Sequence, residues 1–477
     1  GDVAMKRPYQ TAAFSDPSHF ANYATSYNRL QGDRIRWEFS YALPAGLSLT
    51  YAGGYDHQKF RHSTDASAAD ANGNLVGGAT NFIQEENPST WNHEVRLASD
   101  QSKRLTAQVG YFHFDEHNSN LNSGLIERSG PYNGQYLVHF LYDVKTKSDG
   151  VFGQLGYRLT DTVHLSGGAR YTWDKKERTG ASYLNCTITG YPAEGCNSDG
   201  FHVTPSNGNI SESKPTFHIG VDWTPTARNM FYAKFDTGFK SGGFNSNGSA
   251  PSVNYGPETL KAWEVGTKNR FLGGHLTANA DAFYQTYNGY QASQQTAVIA
   301  GSAAGVFNIG SAEIYGVEAQ FAAQTSSGLR ADVSGTYLHT RFTDAAPIVK
   351  GDGVTVVNVV GNQLPNAPKL VITAGLEQKI PVGHVSFTPR IEWKHSSSYY
   401  FSAFNDPDTR QGEYDTFNAS LKFQPAARNV EIMLFVRNLT NQTIFAGMQE
   451  NFNTTPYTNA YQFAPPRTYG VRASAKF

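Results

Sequence analysis

Apolar and polar residues alternate one by one over long stretches of this chain. Such period-two patterning runs through the segments 163–173, 385–394 and 429–438. It persists for about 10 to 14 residues, which is longer than an average strand of five or six. Each stretch predicts a long β-strand with one apolar and one polar face. A soluble sandwich turns its apolar face inward and a membrane barrel turns it toward lipid, so alternation alone leaves both open.

The connections between the predicted strands alternate between short and long. Short turns rich in Gly, Pro, Asp or Asn lie at 43–48, 100–104, 159–163, 224–229, 271–275, 325–329, 380–384 and 424–429. Long polar stretches lie near 61–90, 117–140, 177–211, 243–257, 292–306, 344–365, 399–412 and 447–466. Outer-membrane barrels have this arrangement of short periplasmic turns and long extracellular loops. The sequence therefore predicts an all-β, transmembrane antiparallel β-barrel.

Two strands for each short turn plus a last strand give about 17 strands between residues 33 and 477, and bacterial single-chain barrels have even numbers. Residues 1–32 are predicted to be an extracellular loop segment. An odd count that opens outside the membrane predicts that further strands precede residue 1. The chain begins GDVAMKRPYQ, without an initiating Met or a signal peptide, which agrees with this expectation.

Composition is compatible with a barrel wall. Charged residues make up 17% of the 477 residues and the formal net charge is −1. Mean hydropathy is −0.47, and no run of about 18 apolar residues predicts a spanning helix. The near-neutral charge gives no reason to expect nucleic acid as a partner.

The last strand ends in an aromatic residue. In TYGVRASAKF, Tyr469, Val471 and Phe477 share one face with other apolar residues. This pattern resembles the signal that the barrel-assembly machinery reads in outer-membrane proteins. The alternative is a truncated strand that ends in Phe by chance.

Cys186 and Cys196 are the two cysteines of the chain and lie in one polar stretch. In an oxidising compartment such a pair predicts a disulfide that pins a loop. The alternative is two unrelated free thiols.

Several segments, in order along the chain, resemble the TonB-dependent receptors of the outer membrane. They are HEVRLAS (93–99), FYAKFDTGFKSGGFN (231–245), PETLKAWEVGTKNRF (257–271), LTANADAFYQTYNGYQ (276–291), NIGSAEIYGVEAQF (308–321), LPNAPKL (364–370), FNASLKFQPAARNVEIMLFVRNLTNQTIF (417–445) and PPRTYGVRASAKF (465–477). The family barrel has 22 strands, so the resemblance implies that this chain contains strands six to 22. The family's plug and TonB-binding segment have no counterpart in these residues and are expected before residue 1.

The resemblance implies energy-coupled import of a scarce solute across the outer membrane of a Gram-negative bacterium. The solute classes that it leaves open are iron–siderophore chelates, cobalamin, oligosaccharides and aromatic compounds. Expected partners are TonB with its inner-membrane energising complex, the barrel-assembly machinery, outer-membrane lipid and lipopolysaccharide. The alternative is a passive porin, and a plug upstream of residue 1 separates the two.

Two groups of residues at predicted strand ends are the candidate ligand-binding residues. The first lip carries Phe239, Lys240, Phe244 and Asn245, and the second lip carries Tyr399, Tyr400 and Phe401. For the second lip, the alternative is an aromatic belt at the membrane surface. For the glycines that precede Phe244, a tight bend is favoured over direct ligand binding.

No enzyme, metal site or cofactor is predicted. Motifs of the GxSxG, HExxH and CxxC types do not occur in the sequence. The segments 56–65 and 114–120 place His beside carboxylates and could ligate a metal, but solvated loop charges are the favoured interpretation.

Overall fold

The computed structural model describes residues 27–65, 68–69, 75–76, 79–127, 134–245, 254–298, 301–350, 355–425, 430–451 and 458–475. Its dominant feature is one sheet of 19 strands. Seventeen of them form an antiparallel meander, and two short segments, Phe201–Pro205 and Ile380–Val382, pair with the ends of the interior strands Val163–Asn185 and Val385–Ser396. The predicted all-β architecture and the strand count of about 17 are confirmed.

The seventeen strands follow one another in chain order. They are β1 Tyr27–Leu43, β2 Leu47–Asp65, β3 Ala79–Ala98, β4 Leu105–Glu127, β5 Tyr136–Arg158, β6 Val163–Asn185, β7 Gly208–Thr226, β8 Asn229–Lys240, β9 Glu258–Phe271, β10 Leu276–Asn288, β11 Ser311–Gln324, β12 Leu329–Asp344, β13 Leu370–Gln378, β14 Val385–Ser396, β15 Tyr414–Pro425, β16 Val430–Arg437 and β17 Thr468–Ala475. Each pairs with its sequence neighbours. Among the described residues, the outer edges of β1 and β17 carry no partner strand.

Short connections join the strands at one end of the sheet, where they were predicted. One of them is the 3-10 turn Pro44–Gly46, in which Ala45 and Gly46 have positive φ. Another is the 3-10 turn Leu272–Gly274. Residues 426–429 of the last predicted turn lie outside the described residues.

Smaller elements occupy the long connections at the opposite end. The two-stranded pairs are Ala68–Ala69 with Leu75–Val76, Gly243–Phe244 with Asn254–Tyr255, Gln291–Val298 with Gly301–Asn308, Ile348–Val349 with Val356–Val357, Tyr399–Tyr400 with Arg410–Gln411, and Phe445–Asn451 with Thr458–Phe463. The helical turns there are Cys186–Thr189, Ala193–Gly195 and Pro407–Thr409. No helix in the described ranges is both long and apolar enough to cross a membrane.

The two faces of the sheet differ in chemistry. One face, the apolar face, exposes large hydrophobic side chains on nearly every strand, including Ile35, Val95, Val109, Val151, Ile219, Val265, Val317, Val333, Ile391, Leu434 and Val471. The polar face carries ion pairs such as Arg390 with Asp332, at 2.9 Å. A wide exposed apolar band beside a polar interior surface is what a lipid-facing barrel wall requires.

Aromatic rings line the apolar face toward the long connections. Trp263 and Tyr284 on neighbouring strands have ring centroids 5.8 Å apart, and Tyr315 stacks on His339 at 4.6 Å. Trp and Tyr favour the membrane–water interface because their rings are apolar and their N–H or O–H groups are polar. The row therefore marks one border of the apolar band.

The first seven strands are longer than the sequence predicts. They have 17 to 23 residues, whereas the following ten have 8 to 16. Strand β1 begins at Tyr27, so residues 27–32 are strand and not loop. Residues 1–26 lie outside the described residues. Beyond the aromatic row, stretches such as 115–120 are polar on both faces, so the alternation that marks the rest of these strands is lost there.

Candidate functional site

The first predicted lip is a sharp bend that follows β8. Gly243–Phe244 pairs with Asn254–Tyr255. A Cβ atom on Gly242 would lie 2.3 Å from the backbone oxygen of Tyr255, and one on Gly243 would lie 2.2 Å from the Tyr255 hydroxyl. Close approach of the backbone therefore requires glycine at position 242, and at position 243 a side chain would displace the Tyr255 ring, which agrees with the predicted tight bend.

Arg178 of β6 holds this lip from the side of the polar face. Its side chain is 3% exposed, and its guanidinium lies between the rings of Tyr142 (4.7 Å) and Phe244 (5.0 Å). Its Nε donates to the backbone oxygen of Ser206 (3.0 Å), its Nη2 to the Ser206 hydroxyl (2.6 Å), and its Nη1 to the backbone oxygen of Asn245. One buried cation thus joins two separate connections, at Ser206 and at Phe244 and Asn245, to strand β5.

A second set of contacts fixes the backbone of Gly242. Lys176 Nζ donates to its carbonyl oxygen at 2.7 Å, and its N–H donates to Glu212 Oε2 at 3.0 Å. Burial lowers the pKa of the Lys176 ammonium, while the nearby carboxylates, among them Asp174 and Glu212, oppose that shift. The side chains of Lys176 and Glu212 thus both bond the backbone of the bend.

The four candidate residues of this lip are not equivalent. Phe239 and Lys240 are consecutive residues of β8, so their side chains point to opposite faces, and Lys240 shares the polar face with Lys234. Phe244 stacks on Arg178. Asn245 is 3% exposed and exchanges two hydrogen bonds with the backbone of Val306, at 3.0 and 2.7 Å. Lys240 is the exposed member of the set.

The second predicted lip lies between β14 and β15. Tyr399–Tyr400 pairs with Arg410–Gln411, and the ring of Phe401 packs edge-on against Tyr399 at 5.3 Å. Burial raises the pKa of the Tyr399 hydroxyl. All three aromatic residues are half-buried.

An apolar cluster joins the long connections behind this lip. Its most buried members are Phe342, Val359 and Ala403, each 0% exposed. The remaining members are Ala292, Ile309, Ala312, Leu364 and Phe404. Asn362 Nδ2 also donates to the backbone oxygens of Ala403 and Phe404, at 2.9 and 3.1 Å. The described residues of three connections, 289–298 with 301–310, 355–369 and 397–413, therefore pack together.

The hairpin 291–308 connects the two lips. At its base, Gln291 Nε2 donates to the backbone oxygens of Ser241 (3.1 Å) and Gly256 (2.9 Å) beside the first lip. Also near its base, Val306 bonds Asn245 of the first lip, and Ala292 belongs to the apolar cluster beside the second lip. The structure thus places both predicted groups in one connected assembly. Sequence patterns did not indicate Arg178 or Gln291, because their partners are distant in the chain.

Cys186 and Cys196 form a disulfide, the pairing expected from their spacing. It closes a small loop that starts with the helical turn Cys186–Thr189, where Asn185 Oδ1 accepts from the Ile188 N–H. Tyr191 of this loop stacks on His202 at 4.0 Å. The loop is a compact unit at the end of β6.

The two His-containing segments lie on strands, contrary to their predicted place in loop mouths. Asp56 on β2 pairs with Arg34, and His117 on β4 pairs with Asp143. Across the described residues, no group of three or more His, Cys, Asp or Glu has the geometry to hold a metal ion. Asp222 on the polar face approaches His164 at 3.4 Å.

Of the last-strand residues, Tyr469 and Val471 lie on the exposed apolar face of β17, at 72% and 69% exposure. Phe477 lies outside the described residues. Recognition of these three residues by assembly factors stays a prediction.

Comparison with known proteins shows which family this sheet and its connections resemble. Residues 3–439 match the family model described as TonB dependent receptor-like, beta-barrel. The chain is 23% identical over 363 residues to the pesticin receptor of Yersinia enterocolitica, a match that covers 74% of this chain and 47% of that protein. It is 21% identical over 240 residues to a probable TonB-dependent siderophore receptor of Acinetobacter baumannii, with 48% and 30% coverage.

Solved structures share the fold. The ferric yersiniabactin uptake receptor of Yersinia pestis aligns with a TM-score of 0.75 at 17% identity, over 95% of this chain and 62% of that one. The siderophore receptor of Acinetobacter baumannii aligns with a TM-score of 0.70 at 15% identity, over 94% and 64%. The chain thus spans about half the length of the pesticin receptor and under two thirds of these solved chains. With the family model matched over most of its length, the chain belongs to the TonB-dependent receptor β-barrel family.

Proposed function

We propose that this chain is the wall and outer-loop assembly of a receptor that imports a metal chelate, of the siderophore type, across the outer membrane. The observation that carries the proposal is the family match over residues 3–439. Support comes from the names of the similar proteins, which describe uptake of siderophores and ferric chelates. Cobalamin, oligosaccharides and aromatic compounds are the other ligand classes.

The apolar face would contact outer-membrane lipid and lipopolysaccharide, and the polar face would line the lumen, in a Gram-negative outer membrane that the chain crosses many times. TonB and its inner-membrane complex would supply energy through a plug, and further strands pairing with the free edges of β1 and β17 would complete the barrel. The barrel-assembly machinery would read Tyr469, Val471 and Phe477. Transport, and not catalysis, would be the main activity.

Ligand would bind at the two lips. Lys240 is an exposed cation that suits an anionic chelate, and Tyr399, Tyr400 and Phe401 offer aromatic edges for stacking. Phe239 borders this surface, while Phe244 and Asn245 would act by fixing the backbone of the first lip.

Uptake of radiolabelled ferric chelates into cells that carry the intact gene tests the proposal. Uptake should saturate at low ligand concentration and should stop when TonB is deleted or when the proton gradient is collapsed. A passive porin would give uptake that continues in both cases and rises linearly with concentration, and that result would refute the importer.

A further inference from the structure

The apolar face of the sheet contains a hollow across β3 to β7, which we call the apolar hollow. Its volume is about 680 Å³. The residues that line it include Val95, Val109, Val151, Gly153, Ala169 and Phe217. In the strand register, Ala169 is paired with Gly153 on one side and with Phe217 on the other. The hollow therefore lies on the side of the sheet that meets lipid, where a plug inside the barrel would not cover it.

A missing side chain contributes to the apolar hollow. Gly153 on β5 is paired with Val109 on β4 and with Ala169 on β6. A Cβ atom on Gly153 would lie 3.8 Å from its nearest neighbours, which is an ordinary van der Waals distance, so close packing does not require glycine there. A space that is lined by apolar side chains offers water no hydrogen bonds, and an empty space loses dispersion contacts. In hydrocarbon, an acyl chain is the group that fills it.

The border of the apolar band crosses the same strands next to the hollow, toward the long connections. The rings of Tyr171 and Trp173 on β6 have centroids 4.7 Å apart. The Tyr171 hydroxyl donates to Ser213 Oγ at 3.0 Å, and the Tyr111 hydroxyl donates to Asp149 Oδ1 at 2.5 Å. Aromatic rings with polar groups of this kind lie where hydrocarbon gives way to lipid head groups. Residues farther along these strands therefore face the head groups.

Two lysines lie side by side just beyond this border. Lys147 of β5 is paired directly with Lys175 of β6, and their side chains are 58% and 57% exposed. Each lies four residues from a residue of the hollow region, Val151 or Tyr171, so it shares that face at a distance of about 13 Å along the strand. Like charges that are directly opposite in a sheet repel each other. An anion between the two ammonium groups would therefore stabilise this part of the wall.

The carboxylates that approach these lysines come from other positions and not from between them. Lys147 Nζ lies 3.3 Å from Asp115 Oδ2 on β4, the strand on the far side of β5 from Lys175. Lys175 Nζ lies 2.9 Å from Glu177 Oε1, two residues farther along β6. Exposed ion pairs hold their members weakly, whereas a phosphate accepts charge-assisted hydrogen bonds from several donors at once. Both ammonium groups can therefore turn to one phosphate.

A second hollow, the polar hollow, lies farther out on the same face and has a volume of about 800 Å³. The residues that line it include Arg61, Glu85, Asn87, Ser119, Asp143 and Thr179. Asp143 is paired with Ser119 on β4 and with Thr179 on β6, so these three form one row. Their hydroxyl and carboxylate groups can bond the hydroxyl groups of a sugar. The row lies about 13 Å beyond the lysines along the strand, which an oligosaccharide head group spans and a glycerophospholipid head group does not.

We propose that the outer side of β3 to β7 is a discrete binding site for one molecule of lipopolysaccharide, an acylated and phosphorylated saccharide. An acyl chain fills the apolar hollow beside Gly153, a phosphate lies between Lys147 and Lys175, and core sugars lie in the polar hollow against Ser119 and Asp143. This inference rests on the proposed placement of the chain in an outer membrane. It adds to the general lipid contact of the apolar face a fixed site with three kinds of contact in the order in which the lipid presents them.

Other strands of the same face supply matched controls. Lys261 on β9 lies two residues beyond Trp263, as Lys175 lies two residues beyond Trp173, and Lys261 is exposed. Its paired residues are threonines, Thr237 and Thr286, so it is a single lysine at the same height.

Gly335 on β12 is the control for Gly153. It lies between Val333 and Tyr337, which are exposed on the apolar face. A Cβ atom on Gly335 would lie 3.6 Å from its nearest neighbour, so a side chain fits there as it does at Gly153.

Native mass spectrometry of the full-length protein tests the proposal. Delipidated protein in detergent is titrated with lipopolysaccharide that has a short core, with its dephosphorylated form, with dioleoylphosphatidylglycerol and with inorganic phosphate. Wild type should bind one lipopolysaccharide more tightly than any of the other three. Binding should weaken about 30-fold when Lys147→Gln and Lys175→Gln are combined, and should also weaken in Gly153→Leu. Lys261→Gln and Gly335→Leu should bind as wild type.

Equal affinity of wild type for lipopolysaccharide and for any of the other three compounds would overturn the proposal, and this comparison needs no variant. Equal binding by the double lysine variant and by Lys261→Gln would overturn it as well. The result is separate from that of the uptake assay. A receptor that imports chelate without retaining this lipid would refute the lipid site alone, and a wall that binds the lipid without importing chelate would refute the importer alone.

Discussion

Replacement of Arg178 by methionine tests how the first lip is held. Methionine keeps an apolar side chain between Tyr142 and Phe244 but removes all three donors of the guanidinium. The backbone oxygens of Ser206 and Asn245 then lose a buried partner. We expect the bend 241–245 to open more often as a result.

The magnitude follows from the two orphaned carbonyls. Each buried acceptor left without a partner costs about 1–3 kcal/mol, and removal of a buried guanidinium returns part of its desolvation cost. A net loss of about 3 kcal/mol corresponds to a change of about a hundredfold in the opening equilibrium. Arg178→Lys should fall between, because one ammonium cannot reach all three acceptors.

Amide hydrogen exchange of residues 206–209 and 241–245 measures this equilibrium. Arg330→Met is the matched control, because the Arg330 side chain is 53% exposed and its nearest carboxylate, that of Asp332, is 3.7 Å away. If amide hydrogen exchange at the first lip of Arg178→Met stays within about twofold of wild type, Arg178 does not hold the bend.

Three further outcomes are expected. Phe342→Ala should destabilise the connections 355–369 and 397–413 by about 3–5 kcal/mol, because Phe342 is 0% exposed in the apolar cluster. Amide hydrogen exchange in these connections should rise, whereas Val360→Ala, at a position 44% exposed, should leave it unchanged. Gly242→Ala should weaken ligand binding in an equilibrium titration, because its Cβ meets the Tyr255 backbone, whereas Gly412→Ala, with open space around it, should bind as wild type. Burial lowers the pKa of His139, so the unfolded state binds a proton first as pH falls. The tip formed by Tyr136, His139 and Phe201 should therefore lose protection from hydrogen exchange below about pH 6.5. His139→Phe should remove that pH dependence, and equal pH dependence in both proteins would contradict the assignment.

Alternation predicted the strands wherever one face meets an apolar environment. The segments 163–173 and 385–394 lie in β6 and β14, and the short turns were predicted close to their observed positions. Outside the apolar band this signal disappears. Residues 117–127 and 136–140 are strand, yet they were predicted as loop. Polar residues dominate 117–124 and break the alternation, so the backbone ladder with the neighbouring strands specifies the conformation there.

The position of the candidate site was predictable from the sequence, but the contacts that fix it were not. Glycines 242 and 243 indicated a bend, and the structure shows that a side chain at position 242 would meet the Tyr255 backbone. The residue that fixes the bend, Arg178, is separated from Asn245 by 67 positions. The hydrogen bond between Ser166 and His218 on the polar face likewise spans 52 positions, and strand register alone brings the two residues together. Pairings of this kind have no periodic signal in the sequence.

Central to the account is that one face of the meander meets lipid and the other lines a polar lumen. Single spin labels at Ile219 and Val317 on the apolar face, and at Gly220 and Glu318 on the polar face, test it in liposomes that contain the full-length protein. Collisions with apolar oxygen should dominate at Ile219 and Val317, and collisions with a polar nickel chelate should dominate at Gly220 and Glu318. Equal accessibility within each adjacent pair, or the reverse pattern, would contradict the assignment of the two faces.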